Sequence, residues 1–166
     1  MVLHMKTLLI LRHAKSSWDD ESLPDHDRPL NKRGKRAAHR MGRLLEEEAL
    51  WPDLILSSTA ERAATTALLV TEAGGFGGDI NYLRELYGAG PRDYIEAVSE
   101  LGGAAGCVMV VGHNPGLETL VQTLTGEWHR MPTATLVAVT FEIEDWSDLE
   151  SADGEIAGVW RPKELL

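Results

Sequence analysis

The chain has 166 residues, 43% apolar and 25% charged, with a formal net charge of −10. That length suits one domain with a sizeable core, and the acidic balance argues against general nucleic-acid binding, which rests on neutralising phosphates. A single cysteine, Cys107, excludes an intramolecular disulfide and a cysteine cage for zinc, and no apolar run approaches the roughly 20 residues that span a bilayer.

Met1 to Met5 carry no readable signal and are set apart as a disordered or extra N-terminal segment, His4 included. The apolar run Thr7–Leu11 reads as a strand buried on both faces, and it ends abruptly in Arg12-His13. The apolar part is too short for a secretory leader, so a cytoplasmic protein is expected. Ser16 to Pro29 is polar and acidic, with Pro24 and Pro29 as breakers, and is long enough for a loop to suggest function. His26 within it reads as a solvated loop histidine, since no second histidine stands at ligand spacing.

Asn31 caps a helix reaching about Ala49, with Ala37, Met41, Leu44 and Leu45 on its apolar stripe. From Arg28 to Arg43 the chain carries seven cations and no acid. Such a run is either a solvated helix face or a basic rim that attracts an anionic substrate or an acidic partner. Asp53–Leu56 is a short buried strand, followed by Ser58 and Glu61 in the pattern of a capping box. This places Arg62 in the first turn of a helix whose packing stripe is Ala60, Ala63, Ala64, Ala67 and Leu68, and which ends at Gly74-Gly75.

Ile80–Leu83 is a further strand, and Gly90-Pro91 opens a helix with Tyr94, Ala97, Val98 and Leu101 on one face. The strand Cys107–Val111 follows, with Cys107 as a small core residue. It leads to Gly112-His113-Asn114-Pro115, where Asn114 suits an N-cap and Pro115 the first helical position. Leu136–Phe141 and Ile156–Trp160 read as two late strands; Trp128, Trp146 and Trp160 fit core or interface equally. Alternating strands and helices imply a parallel or mixed sheet covered by helices on both faces.

In such a sheet ligands sit beyond the carboxyl ends of strands. Arg12-His13, Arg62 and His113 all stand at such junctions and would share one edge if their strands are parallel. Two arginines and two histidines in one crevice make an anion pocket, and nearby helix N-termini would add N–H groups. Each residue also has a plain structural reading, as a surface, helix or capping residue.

Leu11-Arg12-His13-Ala14, Ser57-Ser58-Thr59-Ala60-Glu61-Arg62-Ala63 and Val111-Gly112-His113-Asn114-Pro115 together resemble the histidine phosphatase superfamily. Asp27-Arg28-Pro29-Leu30, Gly34 and Met131-Pro132-Thr133-Ala134 are similar to its SixA-type phosphohistidine phosphatase branch. Ala14 stands where the superfamily's RHG label has glycine. The resemblance spans roughly residues 6 to 141. It implies a three-layer α/β/α sandwich with a mostly parallel mixed sheet, phosphoglycerate mutase-like, as a single domain over residues 1–166. It also implies phosphoryl transfer without metal or other cofactor. His13 would attack phosphorus and be transiently phosphorylated, while Arg12, Arg62 and His113 hold the equatorial oxygens.

Arg28 either lines the same pocket or makes a loop salt bridge. Glu85 stands where the superfamily often carries an acid, as a proton donor or as a structural partner of Arg84. The substrate expected is a phosphoprotein carrying phosphohistidine; the alternatives are a small phosphorylated metabolite or, without catalysis, a phosphate-binding module. Neither a nucleic acid nor a membrane is an expected partner.

Overall fold

The computed structural model describes residues 5–165, so the reading of Met1 to His4 lies outside the described residues. The first strand, β1 (Met5–Arg12), already includes Met5. It is followed by α1 (Lys32–Glu47), β2 (Leu54–Ser58), α2 (Glu61–Gly74), β3 (Asp79–Leu83), α3 (Pro91–Leu101), β4 (Cys107–Gly112), α4 (Gly116–Thr125), β5 (Leu136–Glu142), β6 (Glu155–Trp160) and α5 (Pro162–Leu165).

The strands form one mixed sheet in the order β3-β2-β4-β1-β5-β6. Those from β1 to β4 run parallel, whereas β5 is antiparallel to β1 and β6 to β5. Parallel crossovers are right-handed. The chain moves one way from β1 through β2 to β3, which puts α1 and α2 on one face. It then turns back to insert β4 between β2 and β1, which puts α3 and α4 on the other. The resulting α/β/α layers match the expected architecture.

Alternation along β1 feeds both apolar layers. Leu8 and Ile10 pack with residues of α3 and α4, while Leu9 and Leu11 pack with those of α1 and α2. With β4 on one side and β5 on the other, β1 has no free edge, and Leu8–Leu11 are at most 1% exposed. Cutting one of these leucines to alanine should cost about 2–5 kcal/mol.

Helix boundaries and buried stripes follow the local chemistry, with corrections in α1, α2 and α4 and at Leu101 of α3, which is 42% exposed. The Asn31 side chain accepts from Gly34 N–H at 2.8 Å, as expected of an N-cap. The buried stripe of α1, however, runs through Ala38 and Gly42 rather than Ala37, because Gly42 lies directly against the Val70 carbonyl of α2. The same close packing buries Thr66 and Val70 and leaves Leu68 45% exposed.

The capping box of Ser58 and Glu61 does not form: α2 starts at Glu61 with Ala60 as its cap, and Ser58 still belongs to β2. Likewise α4 starts at Gly116, so Pro115 precedes it. Asn114 still serves that helix, accepting from Glu118 N–H at 3.2 Å, but its amide is tied to Met131 O at 2.9 Å. Cys107, at the start of β4, is half-buried rather than fully in the core. Of the three late tryptophans, Trp146 is buried, Trp160 half-buried and Trp128 exposed. No helix among the described residues is long and apolar enough to cross a membrane.

Candidate active site

Because β1, β2 and β4 are parallel, their carboxyl ends meet on one edge of the sheet. Antiparallel β5 begins there too, with Leu136 opposite Leu11. Arg12 pairs in register with Gly112, so the residues that follow each, His13 and His113, emerge side by side. Only glycine fits at 112, since a Cβ there would collide with the Tyr94 hydroxyl. That hydroxyl in turn accepts from His113 N–H at 3.2 Å. The imidazole centroids of His13 and His113 are 5.1 Å apart.

A cavity of about 340 Å³ opens over these strand ends, lined by Arg12, His13, Arg28, Arg62 and His113. Lys15, Ser16, Trp18, Asn114 and Thr133 complete the wall. The four residues predicted from strand ends are therefore brought together, and Arg28 joins them. Glu85 is placed differently. It is exposed on a short 3-10 turn (Arg84–Leu86) and is not part of this lining.

Each group is held in a defined state. His13 is 7% exposed, and its Nδ1 lies 2.7 Å from the Ala14 carbonyl. A carbonyl only accepts, so Nδ1 carries the hydrogen and Nε2 keeps a lone pair. Burial, reinforced by His113 and the two arginines, pushes the His13 pKa down to about 3 despite that bond, so the ring is neutral near pH 7. His113 is pushed down to about 4, first by burial and then by Arg62. Its Nε2 bonds Ser58 Oγ at 2.8 Å.

The guanidiniums are gathered by Asp25, in the loop between β1 and α1. Its carboxylate accepts from Arg28 and from Arg62 at 3.0 Å each and from the Tyr87 hydroxyl at 2.6 Å, while its carbonyl accepts from Arg62 at 2.7 Å. These bonds, Tyr87's foremost, hold the Asp25 carboxyl well below the usual carboxylate range. Arg28 also donates to Ser17 O and Ser16 Oγ, and the Trp18 ring stacks on its guanidinium, 3.2 Å from centroid to Cζ. Arg28 is thus both a pocket residue and a loop ion pair; the two readings do not compete.

Arg12 donates to Met131 O at 3.0 Å, in the segment that precedes β5. Thr66 Oγ1 accepts from Ala14 N–H and donates to Arg62 O, which ties α2 to the end of β1. Among the described residues Arg12 Nε and His113 Nδ1 are buried without a hydrogen-bond partner. Such groups cost about 1–3 kcal/mol each and are characteristic of ligand sites. Chemically, the arrangement offers fixed positive charge around one neutral imidazole lone pair, which suits an oxyanion with an electrophilic centre.

Sequence reasoning missed Asp25, Ser58, Thr66, Tyr87 and Trp18. Asp25 lies three residues before Arg28, a spacing that could have flagged it; Tyr87 and Thr66 carry no local signal. Ser58 looked like a helix cap and instead supports His113. His26, read as a solvated loop residue, is only half-exposed and bonds Thr59 Oγ1 at 2.8 Å, edge-on to Tyr87.

The family model for the histidine phosphatase superfamily (branch 1) matches residues 8–87. An uncharacterized protein of Mycobacterium tuberculosis is 32% identical over 92% of this chain and 100% of its own length. An uncharacterized chloroplastic protein of Arabidopsis thaliana is 30% identical over 97% of this chain and 77% of its own. Among solved structures, one from Nakamurella multipartitia assigned as phosphohistidine phosphatase SixA superposes with a TM-score of 0.85 at 28% identity, covering 95% of this chain and 96% of that one. A second SixA assignment, from Agrobacterium tumefaciens, gives 0.81 at 29% identity, covering 95% and 98%. The chain belongs to the histidine phosphatase superfamily and is a phosphohydrolase.

Proposed function

We propose that this phosphohydrolase removes phosphate from phosphohistidine on a protein, without metal, through a phosphohistidine intermediate on His13. The observation that carries the choice of bond is the composition of the pocket wall. It holds cations, imidazoles, hydroxyls, an amide and an indole, and no carboxylic acid. The nearby carboxyl, Asp25, is held ionised by Tyr87, Arg62 and Arg28 and so has no proton to give. An alkoxide leaves poorly without an acid, whereas imidazole, with a pKa of roughly 6.5, takes a proton from water with ease.

In the first step His13 Nε2 bonds to phosphorus, and the substrate's N–P bond breaks. Its electron pair goes to the departing imidazole nitrogen, which is then protonated. Water next attacks phosphorus, the His13 N–P bond breaks and inorganic phosphate leaves, with its proton passing to solvent. Arg12, Arg28, Arg62 and His113 hold the equatorial oxygens as charge accumulates, and the reaction is mostly positioning and electrostatics. Glu85, exposed and outside the pocket lining, has no role in this step. The SixA assignment of the two solved relatives supports the same substrate class.

The test is quenched-flow with a histidine phosphotransfer protein labelled with radioactive phosphate, beside phosphoramidate and a panel of sugar phosphates. Expected are acid-labile, alkali-stable label on His13 and turnover unaffected by chelator. Brisk hydrolysis of sugar phosphates with inert phosphohistidine would overturn the proposal in favour of a small-molecule esterase.

A further inference from the structure

Beside the phosphate pocket lies a second cavity, of about 290 Å³, lined by the cations Lys15, Arg33, Arg36 and Lys163 with Pro132 and Thr133. Lys15 and Thr133 line both cavities, so the two share a wall. All four cations are exposed, and among the described residues none has a carboxylate within ion-pair distance. Farther along the same helix, Arg40 is paired with Glu47 at 3.4 Å.

The local structure puts these charges there deliberately close to the site. Asn31 N–H donates to the Lys15 carbonyl at 3.0 Å, and a Cβ on Gly34 would collide with that same carbonyl. Glycine at 34 therefore lets the first turn of α1 rest on the backbone just after His13. That turn contains no acid. Carboxylates are favoured and cations disfavoured at the positive end of a helix dipole, yet Lys32, Arg33, Lys35 and Arg36 stand there in a chain of net charge −10. A local rule broken beside a pocket points to a partner that restores the balance.

We propose that this basic shelf docks carboxylate side chains flanking the phosphorylated residue of the substrate protein, so that the partner presents an acidic surface around its phosphohistidine. A small second anion would call for buried donors held by a shared carboxylate, as Arg28 and Arg62 are by Asp25, at 7% and 8% exposure. The shelf cations are instead exposed and spread over the end of β1, α1 and α5, as suits a broad protein face. The proposal rests on the phosphohistidine-protein reading and narrows it.

The test uses two phosphohistidine peptides, one with four glutamates around the phosphohistidine and one with glutamines in their place, plus phosphoramidate. The native enzyme is expected to favour the acidic peptide in kcat/KM by about tenfold at low salt, a preference erased at roughly 0.5 M salt. In R33E/R36E that preference should vanish or invert, through KM, with phosphoramidate turnover unchanged; K163E should reduce it by a smaller factor. Equal rates on both peptides in the native enzyme overturn the shelf while leaving the phosphohistidine reading intact. Turnover of neither peptide, with sugar phosphates hydrolysed, overturns both. A loss on phosphoramidate in R33E/R36E equal to the loss on the acidic peptide also overturns the shelf, because the effect would then lie in the phosphate pocket.

Discussion

The two ends of the sheet each carry a cavity, and the larger one is not where the chemistry is assembled. At the far end, beside Met5 and the close of β5, about 510 Å³ is bordered by Glu142, Asp148, Asp153 and Glu155, all exposed. At the strand carboxyl ends the cavity is about 340 Å³, yet its arginines and histidines are at most 9% exposed apart from half-buried Arg12. The acidic end is a surface of exposed carboxylates. The basic end is a set of polar groups that desolvate, orient and hold one another. Size therefore separates the two poorly, and mutual fixation of buried charge separates them well. An acidic chain can hold an anion here because the pocket wall itself carries cations and no carboxylate.

That contrast can be broken or sharpened by substitution. His13→Ala should lower turnover of a phosphohistidine substrate by at least about 10³-fold and abolish acid-labile label on the enzyme. Asp153→Asn at the far end should leave kcat/KM within roughly twofold, and the reverse pattern would dismantle the comparison. Arg62→Ala should cost about 10²–10³-fold in kcat/KM, because it removes charge from the transition state. Asp25→Asn should cost less, about tenfold, since both guanidiniums remain but lose their common anchor; a rise in KM with the fall in kcat would mark it as a positioning residue.

The histidines give a pH test. Their folded pKa values, about 3 and about 4, lie below the ordinary 6.5, so only the unfolded chain takes up protons on them as pH falls from 6.5. Their contribution is fully present above that pH and is lost toward pH 3–4. The loss should be on the order of 1 kcal/mol per pH unit for each histidine, measured by denaturant midpoints at several pH values. NMR of the imidazoles should show both rings neutral from pH 8 to about 5, with Nδ1 protonated on His13. A His13 ring that titrates near 6.5 would mean that the pocket is wetter than its burial indicates. Among the pocket substitutions Ser58→Ala should have the smallest effect, about 1–2 kcal/mol in stability from an unpaired His113 Nε2 and a few-fold loss in rate.

Much of this was legible in one dimension. The apolar runs at Thr7–Leu11, Asp53–Leu56 and Cys107–Val111 announced strands because a strand buried on both faces has no polar alternation. Arg12, His13, Arg62 and His113 stood out because each breaks such a run or follows it closely. In α1 the stripe holds at Met41, Leu44 and Leu45 and is one position off only at Ala37, since the choice between Ala37 and Ala38 is made by how closely Gly42 approaches α2, a contact between distant segments. Ser58 was misread for a related reason: a serine three residues before a glutamate caps a helix in isolation, but here β2 continues through it and its hydroxyl faces His113.

The order of elements and the positions of polar residues at strand ends are local properties, determined by side-chain periodicity and the handedness of crossovers, and the sequence alone settles them. Tertiary structure decided the rest: that Asp25 joins arginines 3 and 37 residues away and a tyrosine 62 away, that His13 exposes Nε2 rather than Nδ1, and that the positive charge gathers at one end of the sheet. Charge states and hydrogen-bond partners depend on burial summed over every neighbouring element, and no window of sequence contains that sum.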